Sequence, residues 1–411
     1  MKFDVFFSIC QTDVNGVLPN ERMMFENFFD QVKLADQLGF ETAWVAETHL
    51  SCQVQKQNPG AVIPHFKGEI GLNTDILQLG HKIFAQTEQL SIGSAISNIL
   101  CNGGPMAHAE RVRMFLSLHG LSSNEKRLLN IGFASGRFPF SNIPYGVRPR
   151  SLVEEAAWSV VKGKLFQEAT EVFLRFIRGD VFSSDEVNWR IMSREDFRTD
   201  EEWGKVQTAF KAENKVISAP DEIPIDSFWR FDKVGVIPFE SPLELLKLTI
   251  GTHDPKTQIL ANKFMPTGVF NLSITPAKKI EETHKMMQDH YHRDGGPWQR
   301  WYMPRTTLVF IDAQKGSSED QNRRAEEAGQ KAVANYWTAM EGTIDQEKIN
   351  GAVENALTGN PDRVAQLIRK NYNPQDRLML WFDFNNHNNE QVKASMKAFA
   401  EQVIPQLSDF K

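Results

Sequence analysis

Apolar positions recur along this chain with two alternating periods, and the alternation itself predicts an architecture. Phe3 to Ile9 is an apolar, aromatic run interrupted only by Asp4 and Ser8, which predicts a first strand. Asp13, Asn15, Gly16 and Pro19 then mark a turn, and Asn20 stands where a helix N-cap is expected. Behind it Phe25, Phe28, Phe29, Val32 and Ala35 keep helical spacing up to Gly39, the residue type that most often follows a helix end. A second buried run passes through Thr42, Trp44 and Val45 and ends in Glu47 and His49. Strand, helix and strand in that order make one βαβ unit with parallel strands.

The alternation continues to the end of the chain. Further strands are expected at 90–99, 128–133, 245–250, 268–274, 306–311 and 378–384, separated by helical patterns. Thr74 is the expected cap of the second helix, and Pro105 opens the third at its favoured first turn. A long helix is expected from Ser151 to about Ile177, and others follow Pro255, Pro276 and Pro361. A polar helix at 319–340 and a closing helix at 392–407 complete the set. Eight strands alternating with helices predict an α/β fold, a (β/α)8 TIM barrel, with residues 1–411 as one domain carrying insertions. Two segments stand outside the alternation. Residues 51–73, with Pro59, Gly60, Pro64, Gly68 and Gly71, read as a lid-like loop or as a surface excursion. Residues 179–242 read as an irregular insertion, with Trp189, Trp203 and Trp229 scattered among charges, placed to cover a barrel mouth.

Composition narrows the class. Hydrophobic residues make up 41% and charged residues 24%, ordinary for a globular chain that buries a large core. The net charge of −6 has both signs interspersed, without the basic stripe that nucleic-acid binding needs. Cys10, Cys52 and Cys101 are too few and too scattered for a disulfide framework, which suits a reducing compartment. Met1-Lys2-Phe3-Asp4 carries an acid at once, and no apolar run reaches the ~20 residues of a membrane span, so a cytoplasmic protein is expected. The first strand is not followed by Gly-Xaa-Gly-Xaa-Xaa-Gly, and no Walker loop occurs, so dinucleotide-binding and P-loop folds lose ground. His290 and His292, two apart on a helix, do not face one another, and no metal site is expected there.

In parallel α/β folds the chemistry collects where strands end. Glu47 and His49 are therefore candidates for acid–base work, although a structural pair explains the same residues. Gly93, Ser94, Ala95 and Ser97 make the third strand small, which suits a ligand close to its backbone or close helix packing. The fourth strand runs into Gly132-Phe133-Ala134-Ser135-Gly136-Arg137, either an anion-binding turn or a plain one. Thr252 and His253 precede a helix start, whose free N–H groups suit an anion.

With these residues placed, the chain resembles the bacterial luciferase-like flavin monooxygenases over nearly its whole length. The family's helix, Gly-Phe, strand and Glu-His-His segment is similar to Leu38-Gly39-Phe40 through Glu47-Thr48-His49. Its small-residue strand followed by His-Pro and Ala-Glu resembles Ile92 to Ile96, Gly104-Pro105 and Ala109-Glu110. Its flavin-contacting, glycine-bounded strand end matches 132–136, and its Gly-Xaa-Pro motif and C-terminal helix match Gly359-Asn360-Pro361 and 394–405. Three positions depart from the pattern. Thr48 replaces a catalytic histidine, Ser135 replaces a phosphate-binding arginine, and Thr252-His253 replace a glutamate-serine pair.

The resemblance implies a flavin-dependent oxidoreductase, a two-component monooxygenase that takes reduced FMN from a separate reductase and uses O2 on a small organic substrate. It implies catalytic roles for His49 and Glu47. It implies flavin contacts at Ala95, Ile96, Ser97, Phe133, Ala134, Ser135, Gly136, Arg137, Thr252 and His253, and a non-prolyl cis peptide at Ala95–Ile96. It further implies a homodimer packed through the helices after the first three strands, with the face 107–118 carrying Glu110 and Arg111. Two alternatives stay open: a deazaflavin-dependent dehydrogenase or reductase, and a non-catalytic flavin-binding or partner subunit.

Overall fold

The computed structural model describes residues 1–51, 67–136, 138–339 and 346–410. A strand forms at each of the eight expected places, although the sixth, expected at 268–274, ends at Val269 and the chain turns at Leu272 to Thr275. The eight are β1 (Lys2–Phe7), β2 (Thr42–Val45), β3 (Ser91–Asn98), β4 (Leu129–Ala134), β7 (Leu246–Ile250), β8 (Thr267–Val269), β9 (Arg305–Ile311) and β11 (Arg377–Trp381). Two further strands, β5 (Arg190–Ser193) and β6 (Glu222–Ile225), lie in the insertion, and a short β10 (Leu357–Gly359) precedes the helix Pro361–Asn371. The main sheet runs β10-β9-β11-β1-β2-β3-β4-β7-β8, parallel throughout. A parallel bridge between Asn271, just beyond β8, and Arg305 of β9 joins its two flanks. The (β/α)8 barrel is thereby closed, and β10 pairs only with the C-terminal half of β9.

Strand alternation divides the side chains between two environments. Val5, Val45, Ile92, Ile131, Leu248 and Leu380 point outward and pack with Phe28, Val32, Ile83, Phe115 and Phe173 of the helical layer. Phe6, Trp44, Phe270 and Met379 fill the barrel interior. Asp4, the polar break in the first strand, is buried there. It accepts the Trp44 indole N–H at 2.7 Å and faces Arg377 at 3.1 Å. Burial pushes its pKa up, and the Arg377 charge opposes that.

Local signals acted mostly as expected. Asn20 caps the helix Glu21–Gln37 by accepting from the Met23 N–H at 2.8 Å, and Gly39 beyond its end adopts φ +79°. Asp75 rather than Thr74 caps the helix Ile76–Phe84, accepting from Leu77 at 2.9 Å, since a carboxylate also complements the helix dipole. The long helix after Ser151 breaks at Ala157 into Leu152–Ala156 and Trp158–Arg178. The Ala95–Ile96 peptide is cis, and the β3–β4 register shifts between Ser94 and Ser97.

The region 179–242 is more ordered than its sequence predicts. β5 and β6 pair antiparallel and flank the helix Asp200–Asn214. Met192, Phe197, Trp203, Val206, Ile223 and Ile225 form a satellite core against Val153, Ala157 and Val161. Two residues masked these strands: Pro224 sits inside β6, and the buried Arg190 of β5 depends on Glu171, 2.9 Å away. Among the described residues, no helix is long and apolar enough to cross a membrane.

Candidate active site

Because the barrel strands are parallel, their C-terminal ends open at one mouth. β2 delivers Glu47 and His49 there, β3 delivers Ser97 and Asn98, and β4 delivers Ala134, Ser135 and Gly136. His49 Nε2 lies 3.0 Å from Glu47 Oε1, and Ser97 Oγ donates to Glu47 Oε2 at 3.0 Å. The His49 and Glu47 side chains are only 6% and 4% exposed. A carboxylate on Nε2 favours the tautomer protonated there and leaves Nδ1 as the acceptor. The Tyr145 ring stands nearly perpendicular to the imidazole, with 6.5 Å between centroids.

A second histidine, not singled out in the sequence, backs this pair. His108 is buried with Nε2 3.2 Å from the Cys101 carbonyl oxygen. Burial, helped by the Arg111 charge, lowers its pKa to about 4, so it is neutral at pH 7. Burial and then the Glu47 charge push the Cys101 thiol up to about 12, which makes it an inert core thiol. Glu47, Ser97, His108 and Arg111 together line a cavity of about 20 Å³. Thr48, where the resemblance expects a histidine, packs on Gly71, and its N–H bonds the Asn73 carbonyl at 3.0 Å.

Ala95 and Ile96 lie in the interior cluster with Ala46 and Trp44. Ile96 packs directly on Gly251, where a Cβ would meet its Cδ1 at 2.5 Å. Phe133 is different. Its ring is fully buried against Phe166 and Phe173, at centroid distances of 6.3 and 5.3 Å, so only its backbone faces the mouth.

The turn after β4 is built around amides. Asn98 Nδ2 donates to Asn142 Oδ1 at 2.7 Å, and Asn142 Nδ2 donates to the Ser135 carbonyl at 3.2 Å. Gly136 takes φ +68°, and a Cβ there would lie 2.1 Å from Asn98 Nδ2, so only glycine fits. Arg137 lies outside the described residues. A different cation reaches the turn: Lys162 Nζ donates to the Gly136 carbonyl at 2.7 Å. Burial lowers its pKa, and no carboxylate pairs with it among the described residues. Its neighbour Lys164 pairs with Asp196 at 2.7 Å, so sequence position alone did not distinguish the two.

Thr252 and His253 are less available than the sequence suggests. Thr252 Oγ1 accepts from the Asp254 N–H at 3.2 Å, and its carbonyl accepts from Gln258 at 2.7 Å. His253 Nε2 meets Asn271 Oδ1 at 3.1 Å. The helix start expected to offer free N–H groups is already served. Asp254 accepts from Lys256 and Thr257 at 3.3 and 3.0 Å and supplies the anion itself.

Of the lid-like loop, residues 67–73 lie against the mouth. The Glu69 carbonyl accepts from Gln11 at 2.9 Å, Leu72 N–H bonds Ile9 at 3.1 Å, and Asn73 Nδ2 donates to the Ala46 carbonyl at 3.0 Å. Residues 52–66 of that loop, Cys52 included, lie outside the described residues. From the insertion, Trp229 packs on Gly104, where a Cβ would meet its Nε1 at 2.6 Å.

No protein-family model and no curated protein matches the chain. Solved structures do. The monooxygenase RslO1 from Streptomyces bottropensis superposes with a TM-score of 0.65 at 17% identity, covering 99% of this chain and 100% of its own. The oxygenating constituent of 3,6-diketocamphane monooxygenase from the CAM plasmid of Pseudomonas putida, in complex with FMN, gives 0.57 at 11%, with 98% of each chain covered. An F420-dependent secondary alcohol dehydrogenase in complex with an F420-acetone adduct gives 0.52 at 12%, with 100% of each covered. At such identities the likeness shows the fold. It is the luciferase-like barrel that the sequence motifs resemble.

Proposed function

We propose that this protein is a flavin-dependent oxidoreductase, a two-component monooxygenase that receives reduced FMN from a separate reductase and uses O2 on a small organic substrate. The observation that carries the reading is the convergence of three features on one barrel mouth. These are the Ser97–Glu47–His49 network, the small-residue Ala95–Ile96 segment and the Gly136 turn with its lysine. An FMN complex and an F420-dependent enzyme among the similar structures support a flavin-type cofactor.

The residues present fit such a group. Ala46, Ala95, Ala134 and Gly251 are small residues at the strand ends that would let a planar ring approach the backbone, and Lys162 with Ser135 offers a cation and a hydroxyl for a phosphate. Reduced FMN, when bound, supplies the electrons and the oxygen-activating chemistry. The chain's own part is orientation, proton handling and exclusion of water. Glu47 holds the His49 ring from one side while Ser97 fixes Glu47 from the other. His49 Nδ1 is then the atom that takes or returns a proton at the substrate. Residues 67–73 and Trp229 shield the mouth, which strengthens every polar contact inside it.

A homodimer belongs to the same proposal. Phe115 and Arg111 of the expected face are used within the chain, Phe115 in the core and Arg111 on the Asn102 carbonyl at 3.1 Å. Met114, Leu118 and Leu121 stay 49%, 46% and 80% exposed and form the apolar face such pairing requires. A reducing, cytoplasmic setting accords with the buried Cys101 thiol.

The test is a binding titration with FMN, reduced FMN and F420, followed by turnover under 18O2 with a panel of small substrates. Binding of reduced FMN with label entering product supports the monooxygenase. Turnover with F420 and no label in product replaces it with the deazaflavin dehydrogenase, and binding without turnover leaves the partner-subunit reading.

A further inference from the structure

β11 ends at Trp381, and Asp383 follows two residues later. The Trp381 indole shares the barrel interior with Phe6, Ala46, Ala95 and Ile96, and it packs on the Phe6 and Phe384 rings at 4.6 and 4.8 Å. Trp381 Nε1 and Asp383 Oδ1 are both buried, and among the described residues neither atom makes a hydrogen bond of ordinary geometry, the indole N–H only approaching the Asp383 carboxyl. Polar atoms buried in folded proteins are nearly always paired, so two orphans two residues apart require an explanation. Among the described residues the other unpartnered atoms are on Thr170, Arg190 and Arg305, in a helix, in the insertion and at the N-terminal end of β9. Of these, Trp381 and Asp383 stand at the C-terminal mouth, and both residues remain partly exposed overall.

Their chemistry is matched. The indole N–H is a donor only. Burial raises the Asp383 carboxyl to about 7, against weak approaches from its own backbone, the indole N–H and the Ser8 backbone N–H, none of which is charged. A carboxyl held in that way keeps its proton through the mildly acidic range and is itself a donor. Two donors beside the aromatic and aliphatic side chains of the barrel interior are complementary to one oxygen acceptor on an apolar body.

We propose that Trp381 and Asp383 form the polar end of the substrate site, where the indole N–H and the carboxyl O–H together hold the carbonyl oxygen of a small, otherwise apolar molecule. The proposal rests on the reading of this mouth as the active site, yet it concerns the protein without flavin and is measurable on it alone.

The experiment uses 15N-labelled full-length protein at pH 6, with cyclohexanone and its isostere methylenecyclohexane as probes. The Trp381 indole resonance is identified by its loss in Trp381→Phe. Cyclohexanone is expected to shift that resonance and to bind about tenfold more tightly than the hydrocarbon, the size of one good hydrogen bond. Asp383→Leu and Trp381→Phe should each erase the preference, while Asp383→Asn, which keeps an N–H donor, should retain most of it. Asp383→Leu replaces a poorly hydrogen-bonded buried carboxyl with an apolar group of similar size and should fold, which its melting curve checks. Equal binding of the two probes, binding that leaves the Trp381 resonance in place, or no binding of the ketone overturns the proposal. An FMN titration on the same sample separates the two readings. Ketone preference without FMN binding overturns the flavoprotein reading alone, and FMN binding without ketone preference overturns only this inference.

Discussion

His49 Nε2 stands 3.0 Å from Glu47 Oε1, and the opposite oxygen of that carboxylate is occupied by Ser97 Oγ, also at 3.0 Å. The carboxylate is therefore gripped from both sides, and the imidazole has one orientation open to it. If His49 moves the proton, His49→Ala should lower kcat by about 100-fold, the usual scale for one acid–base group, while the circular dichroism spectrum of the barrel is unchanged. Glu47→Gln should cost nearly as much, and the double variant little more than either alone, because the two act as a unit. Full activity in His49→Ala refutes the assignment.

Lys162 supplies the cation at the Gly136 turn where the resemblance expected an arginine and found Ser135. A hydrogen bond to a charged group contributes about 1.5–3 kcal/mol, so Lys162→Met should weaken FMN binding by roughly 10- to 100-fold. Riboflavin, which lacks the phosphate, should bind the variant and the wild type alike. Flavin fluorescence quenching measures both, and an equal loss for the two flavins rules the role out.

Asp383 predicts a pH dependence of stability with a definite sign. Its folded pKa of about 7 lies above its ordinary 3.8, so between those values the folded state holds a proton that the unfolded state has lost. Stability from this group should therefore fall as pH rises from about 4 to about 7 and level off above. Asp383→Asn should remove that slope. Urea midpoints across the range, compared between the two proteins, check it.

Asp4 closes the lower end of the barrel between Trp44 and Arg377. Asp4→Ala leaves a largely buried guanidinium and an indole N–H without their partner, and removing one side of a buried pair costs about 3–5 kcal/mol. Chemical denaturation should show a loss of that order. A loss under about 1 kcal/mol means that water or Glu41 replaces Asp4.

Met114, Leu118 and Leu121 predict the oligomeric state. Sedimentation velocity at micromolar concentration should find a dimer, and Met114→Glu with Leu118→Glu should find a monomer with the same fold. A wild-type monomer removes the proposed pairing.

The amino-acid sequence by itself determined the strand and helix order, because period-two and period-3.6 patterns, the Asn20 cap and Gly39 are local signals that packing did not override. It also determined which end of the barrel carries Glu47 and His49, since parallel strands leave no choice of end. Tertiary structure alone decided the rest. Pro224 and Arg190 hid two strands whose stability comes from a shared satellite core and a buried ion pair. Asp254 took the helix N–H groups that Thr252 and His253 had been expected to leave free, a competition settled by distances of a few ångströms. Lys162, His108, Trp381 and Asp383 look like ordinary helix or strand residues along the chain. Their chemistry arises from burial and from neighbours far away in sequence, and a period along one chain carries no information about either.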